Sequence, residues 1–171
     1  MNLSYLEMLA LYRGWANHLL FESAAKLPGS EIDAPRPMPF GSILKLLKHS
    51  YTIDRTFQAH LIGEPHGFTS RITPLHMTLE ELRDNQRHMD EWYVAWSRRQ
   101  TIESITEQVP FEFIGGGRGC MSRMEILLHV VNHSTYHRGY LSKVMQNLVD
   151  RVPATDLTIF VRDVYRDAST C

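Results

Sequence analysis

Three histidines spaced four apart, His129, His133 and His137, are the residues of this chain best placed to do chemistry. Around them Ile126, Val130, Tyr140, Leu141, Val144 and Leu148 keep a helical period, and His133 and His137 fall inside that apolar stripe. Residues four apart stack on one helix face, so two imidazoles there can offer nitrogens to one transition metal. Nine histidines in 171 residues give roughly half such a pair by chance, so one pair is weak evidence and two overlapping pairs are stronger. A histidine on an apolar face is also more often a hydrogen-bonded core residue than a ligand. The stretch alone leaves both readings open.

The elements that must position these residues follow in order. Residues 3–27 read as a first helix, with Leu6, Ala10, Ala16, Leu20 and Ala24 inward and Arg13 and Asn17 near the stripe. Asn17 there is either a packing-edge amide or a site residue. Pro35, Pro37 and Pro39 make residues 28–40 an extended connection. A second helix runs from Ser42 to Gly63 with Leu46, His49, Ile53, Phe57 and His60 inward. His60 lies about 16 Å from His49 along that axis, too far to share one ion. Asp54 points away from His49. Residues 64–77 read as a loop with solvated His66 and His76.

Thr78 and Glu81 form a capping box that opens a third helix, with Leu82, Met89, Tyr93 and Trp96 inward. Val109, Phe111 and Phe113 alternate as a short extended edge piece beside Pro110. Residues 115–119 read as a mobile glycine-rich loop leading into the histidine helix, with Cys120 a packed cysteine. Ser122 and Glu125 form a second capping box that starts the helix of residues 122–148. After Pro153 a short last helix has Leu157, Phe160, Val161, Val164 and Tyr165 on one face.

These elements predict an all-α chain: a four-helix bundle of up-down-up-down type with longer crossover loops, plus a short fifth helix, in one domain over 1–171. His49, His133 and His137 are the inward histidines that could meet in its core. The sequence offers no inward Asp or Glu near them as a general acid or base. Arg138 reads as a solvated arginine, with binding of an anionic substrate as the alternative. Net charge −1 and a pI near 6.8 argue against nucleic acid or an acidic membrane surface as partner. Two cysteines, Cys120 and Cys171, make no disulfide framework, and with no signal segment or apolar span the expected location is the cytoplasm.

With those residues placed, the chain resembles the DinB family of bacterial four-helix-bundle metalloproteins. The likeness rests on Tyr12-Arg-Gly-Trp-Ala-Asn17, on residues 40–49 ending in His49 with Asp54-Arg55 after them, and on His129 to Gly139. It departs from the family pattern at Phe57, Tyr136 and Tyr140. The resemblance implies His49, His133 and His137 as ligands of a divalent metal, nickel or zinc, with His129 set aside, and a homodimer. It also implies kinship with thiol-dependent transferases, hence a small-molecule substrate and a low-molecular-weight thiol. Two functions are therefore expected: a metal-dependent enzyme of thiol-transferase or hydrolase type, or a non-catalytic metal-binding stress-response protein.

Overall fold

The structure is a computed structural model that describes residues 3–72 and 76–166. It is mostly helical. Four long helices carry the core: α1 (Ser4–Ala24), α3 (Ile43–Ile62), α4 (Leu79–Arg98) and α6 (Arg123–Met145). Single helical turns stand between or after them, α2 (Gly29–Ile32), α5 (Ile102–Ile105) and α7 (Leu157–Phe160), the last running into a π-helical turn at Val161–Tyr165. The helix starts follow the capping chemistry of the sequence. Ser42 Oγ accepts the Lys45 N–H, and both Thr78–Glu81 and Ser122–Glu125 close reciprocal capping boxes. Gly63 ends α3 in the left-handed conformation (φ 78°), where a side chain would be strained. The first helix ends at Ala24, three residues short of the expected 27, and the expected extended connection contains α2.

Side-chain pairs between the helices fix their directions. Glu7–Arg98 and Glu22–Arg83 ion pairs join opposite ends of α1 and α4, so these two run antiparallel. Arg13 meets Ser134 and Asn17 meets Arg138, so α1 and α6 run parallel. Phe57 packs on His129 while His49 meets His133, which makes α3 and α6 antiparallel. It follows that α3 and α4 are parallel, and the four directions read up-down-down-up. This corrects the up-down-up-down expectation. Each long helix packs on two others, α1 and α3 both bridging α4 and α6. Two parallel helices need a connection that runs back along their length. The 16 residues from Gly63 to Thr78 can span up to about 55 Å, against about 30 Å for a 20-residue helix.

The chain is not all-α. A two-stranded antiparallel hairpin, β1 (Gln108–Glu112) and β2 (Arg118–Ser122), stands between α5 and α6. The extended piece around Val109 and Phe111 was legible as such. Its partner was not, because Arg118-Gly-Cys-Met-Ser122 has neither alternation nor β-branched residues. The glycine-rich segment is an ordered turn: Phe113 N–H donates to Gly117 O and Gly116 N–H to Phe113 O, with all three glycines 115–117 at positive φ. Gly119 faces Phe111 across the ladder. A Cβ at Gly119 would overlap the Phe111 ring. Phe111 in turn packs on Phe57 of α3, which docks the hairpin on the long helices beside α6.

Cys120 is exposed on β2, with its thiol 3.6 Å from the Gln108 amide oxygen, in place of the packed cysteine expected there. Cys171 lies outside the described residues. In the last element Phe160 alone is buried, wedged against Tyr12 and Trp15, while Leu157 and Val164 of its expected stripe are exposed. Among the described residues no helix is long and apolar enough to cross a membrane.

Candidate metal centre

The parallel and antiparallel packing brings His49 of α3 against His133 and His137 of α6. His49 Nε2 lies 3.2 Å from His133 Nε2, and His137 Nε2 lies 3.1 Å from it. All three ring nitrogens fall within 4.8 Å of one another. Metal–nitrogen bonds of about 2.0–2.1 Å place ligand nitrogens roughly 3.0 Å apart on an octahedral face and 3.4 Å apart on a tetrahedral one. The two spacings to His133 Nε2 fall between these values.

Proton bookkeeping tests the fit. His49 Nδ1–H donates to the Arg71 carbonyl at 2.8 Å, so its Nε2 is a bare lone pair aimed at the other two rings. One Nε2–H from His133 could serve only one of its neighbours. A cation satisfies all three at once, and the residues therefore fit a metal ion. The Arg71 carbonyl is also the outer partner that metal-binding imidazoles characteristically have. It is supplied by the long α3–α4 connection, which passes the early part of α3 because it has to run back along it. Nδ1 of His133 and of His137 are buried and find no partner among the described residues.

Burial keeps these rings neutral. It pushes His133 down to about 3, helped by the adjacent His137 and His49, and His137 down to about 4, helped by His49. Burial lowers His49 as well. Neutral imidazoles at physiological pH keep the lone pairs a metal requires. The shifts set a sign for stability. Each folded value lies below the ordinary 6.5, so the stabilisation is complete above about pH 6.5 and is lost as pH falls toward the folded values near 4 and 3. Melting temperatures of metal-free protein should drop steadily from pH 7 to pH 4, and His133→Gln should flatten that slope. An unchanged slope in the variant would refute the assignment.

The other histidines are elsewhere. His129 packs at a tilt on Phe57 and its ring centroid is 5.7 Å from that of His133; it is outside the group of three. His60 bonds the backbone of Glu112. His66 is half-buried beside His60, not simply solvated, and accepts the Phe68 N–H; His76 is exposed. Around the cluster, Phe40 stacks on His49 (centroids 4.1 Å, 23°) and the 66% exposed Tyr136 sets its ring edge-on to His137. His133 is half-buried, so the cluster lies within reach of solvent.

Beneath the histidines is a buried ionic network that sequence reasoning missed. Arg13, fully buried, pairs with Asp54 of α3 and with Asp90 of α4 (2.6 Å to the latter) and donates through Nε to Ser134 of α6 (3.4 Å). Gln86 donates to both carboxylates and Asn17 to Asp90. Arg138, expected in solvent, is 2% exposed and donates to Asn17 Oδ1, Tyr12 OH and Thr135 Oγ1. Inward carboxylates therefore exist in the core, but they are committed to Arg13. Burial pushes Asp90 up to about 6 while Arg13 pulls it back, and burial raises Asp54 against the same pull. A signal was present: Gln86 and Asp90 fill the helical stripe between Leu82 and Tyr93, and Arg13 and Asn17 share a face. Ser134 sits between the two histidines on α6, so the network holds that helix to the other three.

A separate cavity of about 760 Å³ opens between α1 and α4, lined by Trp15, Phe21, Val94 and Phe160 and by none of the three histidines. Its polar floor residues Asn17, Gln86 and Asp90 are already bonded in the network. The three histidines are the group among the described residues that could hold a metal ion.

Comparison with known proteins identifies the family. The DinB family pattern matches residues 1–166. "Protein DinB" of Bacillus subtilis (strain 168) is 23% identical over 156 residues, which cover 88% of this chain and 90% of that protein. With the match extending over nearly the entire chain, the protein belongs to the DinB family.

Proposed function

We propose that the protein is a four-helix-bundle metalloprotein of one domain that holds one divalent ion, nickel or zinc, on His49, His133 and His137. In this reading it acts as an enzyme of thiol-transferase or hydrolase type on a small-molecule substrate. The observation that carries it is the convergence of three ring nitrogens within 4.8 Å of one another, with His133 Nε2 3.2 Å from His49 Nε2 and 3.1 Å from His137 Nε2. When bound, such an ion holds a thiol as its thiolate or lowers the pKa of a bound water to about 7, and either is a nucleophile at neutral pH.

The chain's own residues supply the rest. The Arg71 carbonyl keeps the proton of His49 on Nδ1, which leaves Nε2 free to bind. His133, half-buried, leaves one side of the cluster accessible, and Phe40 and Tyr136 give that side aromatic walls. Asp54 and Asp90 are tied to Arg13, so nucleophile activation falls to the metal site with no carboxylate base. A homodimer in the cytoplasm completes the proposal.

The same tied carboxylates favour a second reading, a metal-binding stress-response protein without catalysis. Metal-loaded protein assayed with electrophiles across a panel of low-molecular-weight thiols, and with activated esters, distinguishes the two. Turnover lost in His49→Ala is the expected result. A fully loaded protein inert across the panel would favour the non-catalytic reading.

A further inference from the structure

Phe40 has positive φ, 63°, and is the one such non-glycine among the described residues. Left-handed backbone is accessible to glycine and tolerated by asparagine; for a bulky side chain it is an outlier that surrounding structure has to impose. The turn around it does impose it. Arg36 N–H donates to Gly41 O, Gly41 N–H to Met38 O and Met38 N–H to Arg36 O, and Gly41 beside it is also left-handed at φ 82°. A chain selected for the turn alone would carry a small residue at position 40. This one carries a phenyl ring, half-buried against the core and stacked face to face on His49.

The imidazole it covers is otherwise held by the Nδ1–H bond to Arg71 O and by contacts with His133 and His137. The first fixes one edge, and the others are with the very rings it has to meet, so neither sets its plane independently of the site. A stacked ring on its face does. We propose that Phe40 is a positioning residue for the metal site: the strained turn holds its ring against His49 and so fixes where the His49 Nε2 lone pair points. This rests on the three-histidine reading above. It explains why an unfavourable residue occupies the turn.

Zinc and nickel affinities of metal-free protein, measured by competition with a chromophoric chelator, test it. Phe40→Gly suits the backbone and deletes the ring; Phe40→Leu retains apolar cover without a planar stack; Phe40→Tyr restores the stack. The Gly and Leu variants should lose tenfold or more in affinity, as loss of an outer-shell partner does. Phe40→Tyr should stay within threefold of wild type, with the metal-free melting temperature of Leu matching that of Tyr. Wild type binding tightly with Gly and Leu equally tight would overturn this inference alone. Wild type taking up no metal would overturn the three-histidine reading, and this inference with it.

Discussion

Replacing His133 by alanine should abolish metal binding while leaving the protein folded. His133 is the common member of both short contacts, 3.2 Å to His49 and 3.1 Å to His137, so its loss leaves two nitrogens with no third between them. The affinity should fall by well over 100-fold, more than the 10–100-fold that follows loss of an outer-shell partner. Stability should change little in the metal-free state. Alanine is the best helix former, and the variant no longer buries a ring whose protonation burial opposes. Elemental analysis and equilibrium dialysis of wild type and variant read this directly: one equivalent per chain against none. Equal metal in both would remove His133 from the site.

Replacing Arg13 by methionine should cost far more in folding than any histidine. Methionine fills similar volume, so the loss is electrostatic. Asp54 and Asp90 remain buried, each of them an acceptor facing the gap, and an unmatched buried charge costs about 3–5 kcal/mol. For a chain of this size that lowers the melting temperature by roughly 6–20 °C. Burial already pushes the Asp90 carboxyl up to about 6 with Arg13 present, so removing the cation drives both acids further toward the protonated form. Adding Asp54→Asn and Asp90→Asn to Arg13→Met should recover a large part of the loss, because the penalty lies in the charges left behind. Thermal and denaturant unfolding of the single and triple variants decide it. A single variant within 1 kcal/mol of wild type would show that the network is not a structural anchor.

The same network shows where sequence patterns stop. Gln86 and Asp90 were visible in an inward stripe, and Arg13 and Asn17 on one face, yet nothing local says that a charge on α1 will find two carboxylates on α3 and α4. Arg138 illustrates the point from the other side. One residue from a proposed ligand and two from a solvent-facing Tyr136, it is buried because Asn17 and Tyr12 of another helix receive its donors. The hairpin failed for a different reason: β2 has no periodic signal, and its pairing comes from the opposite strand and from Gly119 making room for Phe111.

The features legible along the chain are local. Capping residues set the starts of α3, α4 and α6, and the period of four put His133 and His137 on one face, because both depend on contacts within a single turn of helix. The companion histidine on α3 was a candidate on the same grounds. The tertiary structure alone decided that α3 and α4 run parallel, that the connection between them therefore passes His49 and lends it the Arg71 carbonyl, and that Arg13 balances two buried acids beneath the cluster. Those are pairings between residues tens of positions apart, set by how helices pack and how far a loop can reach, and no spacing along the chain encodes them.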